Sequence, residues 1–143
     1  MNTCTFFGHR DAPWKIKNEI RSAVIHMITD HGVDLFLVGD SGNYDKMVKS
    51  VLSELKALYD FDYQVVISQI PNKSSSDCDL MLNVLPDGIE EVPPRFRIEF
   101  RNRYMINVSS HAVVYITREY GGAAKFYKIA KNKGLNVIKL SGK

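Results

Sequence analysis

Five short, nearly unbroken apolar runs punctuate the chain, at residues 3–7, 34–38, 63–67, 112–116 and 135–140. Between them, apolar residues recur at three- and four-residue spacing. Ile16, Ile20, Val24, Met27 and Ile28 mark one helical stretch (14–29), and Met47, Val51, Leu52, Leu55 and Leu58 a second (44–59). Two more helices are expected over 95–109 and 122–133. Apolar runs too short for helices, alternating with amphipathic helices, predict parallel strands buried on both faces. With right-handed crossovers, the strand order is 3-2-1-4-5. The fold expected is therefore α/β: a Rossmann-like three-layer α/β/α arrangement around a mainly parallel five-stranded sheet, with residues 1–143 forming one domain.

Residues 70–94 break the alternation. Pro71, the run Ser74-Ser75-Ser76, Pro86-Asp87-Gly88 and Pro93-Pro94 read as a long loop around a short apolar piece, 80–85. Long loops in small domains are more often functional or mobile than incidental.

Composition narrows the function classes. Of 143 residues, 45% are hydrophobic and 24% charged, the balance of a soluble globular protein. The formal charge of +3 permits anionic ligands but lacks the dense basic stripe that would by itself argue for nucleic acid. Cys4 and Cys78 have no CxxC or Cys/His spacing and read as reduced thiols. The first residues lack the blocks of a signal peptide, and no apolar run reaches the roughly 20 residues that cross a bilayer. A cytoplasmic location is expected, with no membrane partner. There is no HExxH, GxSxG, Walker loop, GxGxxG or metal-ligand cluster, so no catalytic or metal-binding residue is assigned.

Open α/β sheets bind ligands beyond the carboxyl ends of their strands, where strand order reverses. Here the first and fourth strands flank that point. They bring Gly8-His9-Arg10 opposite Glu119-Tyr120-Gly121-Gly122, with Gly39-Asp40-Ser41-Gly42 alongside. Glycine lets backbone approach an anion, and the first N–H groups of the following helix point outward without partners. Tight turns need glycine too; three such loops on one rim favour a site. Arg10 adds charge there, and His9 either touches a ligand or caps the turn. Asp45 is read as a helix-capping carboxylate, and Lys125 and Lys128 as solvated.

The third helix carries an anomaly. Phe96, Ile98, Phe100, Tyr104, Met105 and Val108 compose one apolar face, with Arg97 and Arg101 in its middle. An uncompensated buried charge is expensive. Each arginine must therefore pair with a carboxylate such as Glu90 or Glu91, or reach an anionic ligand.

Five motifs, Thr5-Phe6-Phe7-Gly8-His9-Arg10, Val38-Gly39-Asp40-Ser41-Gly42, Pro94-Arg95-Phe96, Arg101-Asn102-Arg103-Tyr104-Met105 and Gly121-Gly122-Ala123-Ala124-Lys125, occur in the order of the SLOG superfamily. That group joins the DprA/Smf proteins, the LOG phosphoribohydrolases and small stand-alone YpsA-like proteins. The chain resembles the stand-alone members most, over nearly its whole length. The resemblance implies a Rossmann-like sheet and a nucleotide site. In LOG enzymes an arginine precedes a methionine by four residues, as Arg101 precedes Met105, and the resemblance thus favours a ligand over a salt bridge for Arg101. LOG enzymes also carry PGGxGTxxE. Gly121 and Gly122 are kept here, but Tyr120, Ala124, Lys125 and Lys128 replace the proline, third glycine, threonine and glutamate. Without that glutamate, the LOG route to glycosidic cleavage lacks its acid/base group.

The leading expectation is a nucleotide-binding or sensing protein whose ligand is a nucleotide or an ADP-ribose-like molecule. Its site residues are Gly8, His9, Arg10, Gly39, Asp40, Ser41, Gly42, Arg101, Asn102, Gly121 and Gly122. One alternative is an N-glycosidase of nucleoside monophosphates or NAD, using Glu90, Glu91 or Glu119 as acid. A further alternative, from DprA/Smf, is single-stranded DNA binding through Tyr120, Tyr127 and the lysines of the last helix. A homo-oligomer built on an exposed apolar helix face is a further partner expectation.

Overall fold

The computed structural model describes residues 2–68 and 83–141. Pro71, the serine run, Cys78 and residues 80–82 of the apolar piece 80–85 lie outside the described residues.

The five apolar runs become β1 (Asn2–Gly8), β2 (Val33–Val38), β3 (Asp62–Val66), β5 (His111–Tyr115) and β6 (Asn136–Lys139). All pair in parallel, in the order β3-β2-β1-β5-β6, the arrangement expected from the sequence. A sixth strand, β4 (Asn83–Val84), extends the edge beyond β3. Its two residues are too short to show a periodicity; pairing with Val65 and Val66 defines it.

Alternation along the strands sends residues to two faces. Cys4, Phe6, Phe36, Val38, Val113 and Tyr115 join the side chains of α1 (Lys17–His31) and α2 (Gly42–Leu55) in one cluster. Phe7, Leu37, Val66, Ala112 and Val114 face α3 (Arg97–Asn107) and α4 (Gly122–Asn132). Each fully buried Leu, Ile, Met or Phe contributes about 1.5–3 kcal/mol. Pro13 leads through a 3-10 turn, Trp14–Ile16, into α1. Cys4 is buried and free, and burial pushes its thiol pKa upward.

Two expectations about helix faces fail. α2 stops at Leu55, which leaves Leu58 74% exposed instead of inward-facing. In α3 the expected apolar face is largely outside: Phe96, Ile98 and Val108 are exposed, while Arg101, Asn102, Met105 and Ile106 are buried. The helix is rotated so that Arg101, paired with a residue distant in sequence, and its neighbour Asn102 point inward.

Candidate functional site

A cavity of about 270 Å³ opens at the carboxyl rim, where β1 and β5 part. Five segments wall it: the end of β1 with its following loop, the start of α2, the inner side of α3, the loop after β5, and the start of α4. Phe7, Ile98 and Met105 supply an apolar wall, so the space is neither purely polar nor filled by hydrocarbon. Its volume lies just under the roughly 300–1,000 Å³ of common small-molecule sites.

Eight of the eleven sequence-selected residues line this cavity: Gly8, His9, Arg10, Ser41, Arg101, Asn102, Gly121 and Gly122. Gly39, Asp40 and Gly42 stand behind its wall. Arg101, only 3% exposed, forms an ion pair with Asp40 through Nη1, and its Nε donates to Asn102 Oδ1 at 3.1 Å. Its carboxylate partner is thus Asp40, not Glu90 or Glu91. Asp40, 27% exposed, also accepts from Ser68 Oγ at 3.4 Å. Arg97 lacks a carboxylate partner among the described residues; its Nε donates to the Val92 carbonyl at 2.9 Å. Gly39 matters through the absence of a side chain. A Cβ there would stand 2.7 Å from Asp45 Oδ2 and 2.9 Å from the Arg101 guanidinium, so any larger residue would break the corner.

Asp45 caps α2 as the sequence suggested, its Oδ2 accepting the Ser41 N–H at 2.9 Å. It is also buried against the cavity, which the sequence did not reveal. Burial raises its pKa to about 6, only partly opposed by the Ser41 N–H and the nearby Arg101.

His9 is buried, and its Nε2 accepts the Thr117 N–H at 3.0 Å across the gap between β1 and β5. That bond fixes a neutral ring with its proton on Nδ1. Burial, then the charge of Arg118, lowers the pKa of His9. The ring therefore ties the β5 turn and at the same time lines the cavity. Arg10 is exposed and has no ion-pair partner among the described residues; its carbonyl accepts the Asn43 N–H at 2.8 Å, which holds the β1 loop on the start of α2. Gly42 lies under this contact.

Arg118 is the cation the sequence reading missed. It follows β5 at the rim, lines the cavity, and pairs with Asp11 at 3.3 Å. Its Nε is buried and has no hydrogen-bond partner among the described residues. The hydrogen bond from Arg118 lowers the pKa of Asp11. The rule that selects Arg10 from its place after β1 selects Arg118 from its place after β5.

Gly121 precedes α4 with φ 96°, a conformation that favours glycine, and no side chain caps the helix. The open amides of its first turn thus face the cavity. Lys125 is exposed, as expected, and in addition pairs with Glu99 of α3. Glu90 and Glu91 lie on a separate 3-10 turn, Ile89–Glu91, and Glu119 lines a second cavity beside β6. None of the three borders the rim cavity, whose carboxylates are Asp11 and Asp45. Among the described residues, no group of three or more His, Cys, Asp and Glu could hold a metal ion, and no helix is long and apolar enough to cross a membrane.

No family model matches the sequence, and neither does any curated protein. The fold does have a solved counterpart, DNA processing protein A (DprA) from Streptococcus pneumoniae, with a TM-score of 0.70 and 12% sequence identity. The similarity covers 99% of this chain and 53% of that one, so the chain spans about half the length of DprA. The shared feature is the Rossmann-like α/β fold.

Proposed function

We propose that the rim cavity binds a nucleotide or a nucleotide-derived anion, as in a stand-alone SLOG-type binding or sensing protein. The observation that supports this most is the meeting of open α4 amides, Arg10, Arg101 and Arg118 around one cavity with an apolar wall. In this reading the phosphate rests on Gly121, Gly122 and Ser41 with Arg10 nearby. The ribose and base lie toward Phe7, Ile98 and Met105. Gly8, His9 and Asn102 shape the floor, while Gly39, Asp40 and Gly42 hold Arg101 and the β1 loop in place. No catalytic step is assigned, because none of the glutamates considered for glycosidic cleavage borders the cavity.

Thermal unfolding with AMP, ADP-ribose, adenosine and ribose 5-phosphate tests the reading. AMP and ADP-ribose should raise the Tm at millimolar concentration, and adenosine should do so far less. A panel without any shift, or one in which adenosine equals AMP, overturns it.

A second reading, single-stranded DNA binding, draws on the likeness to DprA and on one charge pattern. Residues 120–143 contain no Asp or Glu but six lysines. The Tyr127 ring lies between Lys131 and Lys139, 5.4 and 5.6 Å from its centroid, and Arg118 stands over Tyr120. Cations with stacking rings suit a single strand. Oligonucleotide binding that weakens steeply with salt, and is lost on replacing Lys128, Lys131 and Lys139, would favour it over the small-ligand reading.

A further inference from the structure

The rim carries less net charge than its three arginines suggest. Three arginines line the cavity, Arg10, Arg101 and Arg118. Two of them are already neutralised, Arg101 by Asp40 and Arg118 by Asp11. Arg10 is the remaining cation and Asp45 the remaining carboxylate. With Asp45 ionised, the excess positive charge of the cavity vanishes; with Asp45 protonated, one full charge returns.

Asp45 has little freedom to move away. Its Oδ2 is fixed by the Ser41 N–H, and it is wedged with the Arg101 guanidinium over Gly39. The charged and titratable groups around it come from every neighbouring element. Tyr44 and Lys49 share its helix, Asp40 precedes it, and Arg101 approaches from α3. His9, Arg10 and Asp11 border the same cavity from the β1 loop, and Arg118 from the β5 loop. Burial already favours the neutral acid, with a pKa of about 6. An incoming phosphate adds a like charge beside the carboxyl, which favours the neutral form further.

Building on the nucleotide reading, we propose that the cavity takes up its anion together with one proton, carried on the Asp45 carboxyl. The proton comes from solvent and sits on Oδ1, because Oδ2 is engaged by Ser41. The O–H then donates to a ligand oxygen. Asp45 is thus a ligand-binding residue as well as a helix cap, and it makes affinity depend on pH in a range where the phosphodiester-type charge of ADP-ribose is constant. His9 is not the carrier, because a proton on its Nε2 would break the bond that this nitrogen accepts from the Thr117 N–H.

Calorimetric titration of ADP-ribose into the wild-type protein and a D45N variant tests this. Asparagine keeps a side-chain oxygen for the Ser41 N–H and cannot ionise. Wild-type affinity should fall about tenfold per pH unit between pH 6.5 and 8, and D45N should bind equally well throughout. In wild-type protein at about pH 7.5, buffers of different ionisation enthalpy should report close to one proton taken up per ligand, a readout that does not require the variant to fold. A wild-type affinity independent of pH, without proton uptake, overturns the proposal. So does a D45N variant that loses affinity as steeply as wild type. If neither protein binds ADP-ribose at any pH, the nucleotide reading itself fails and takes this inference with it.

Discussion

The two faces of the sheet are built on different terms. Among the described residues, the α1/α2 face buries a cluster of 23 hydrophobic side chains, with Asp45 buried at its carboxyl rim. The α3/α4 face buries only 9 in its cluster, and beside them lie Arg101 and Asn102. The first face carries most of the apolar burial, which scales with area removed from water. The second spends part of its interior on charge, and it is this side that leaves a cavity. Most of the apolar burial thus lies in one layer, while the cavity is walled by α3 and α4 together with Ser41 and Asp45 at the start of α2, so the core of the first layer can be perturbed while binding is read.

The largest effect is expected on the apolar face. Leu52→Ala, at a fully buried position, should cost about 2–5 kcal/mol in urea unfolding. It should leave nucleotide affinity unchanged at temperatures where the variant stays folded. Lost affinity in a folded L52A protein would break the division between layers.

Asp45→Asn should act in the opposite direction. The folded-state pKa of about 6 lies above the ordinary 3.8, so ionised Asp45 is penalised by folding. Its contribution is fully present below about pH 4 and is lost as pH rises through 6. D45N should therefore be more stable than wild type at pH 7, on the order of 3 kcal/mol, and equal to it near pH 3.5. Equal stability at both pH values would show that the carboxyl is not strained by burial. A gain at pH 7 would also mark Asp45 as a residue kept at a cost to stability.

Arg101→Ala should cost less, about 1–3 kcal/mol, because Asp40 is partly exposed and can rehydrate. Its larger consequence should be loss of the Tm shift given by AMP. A folded variant that retains the full shift would confine Arg101 to a structural role. The smallest effect belongs to the exposed rim: Arg118→Ala breaks a solvated pair with Asp11 and should leave the urea unfolding midpoint nearly unchanged. Ligand affinity should still fall. Unchanged affinity would remove Arg118 from the site.

The same contrast explains what was legible in the sequence. Strand order and helix placement follow from periodicity and crossover handedness, and β1, β2, β3, β5 and β6 lie where the apolar runs put them. The rim loops follow from topology. The face of α3 was only partly legible: its periodicity puts Arg101 on the inward side, but it puts Phe96 and Val108 there too, and both are exposed. The partner of Arg101, Asp40, lies 61 residues away and leaves no local pattern. Asp45 was readable as a cap from its place in α2, but its burial depends on α3 and the β1 loop closing over it. Arg118 was within reach of the topological rule that selected Arg10.

The most direct test of the account is a two-dimensional amide NMR titration of the isotope-labelled protein with AMP. The expected result is saturable shifts concentrated at Ser41, Gly121, Gly122 and Ala123 and at the Arg101 Nε–H, with α1 unmoved. Shifts confined to the lysines of α4 and β6, or no saturable shift at all, would contradict a nucleotide site at the carboxyl rim.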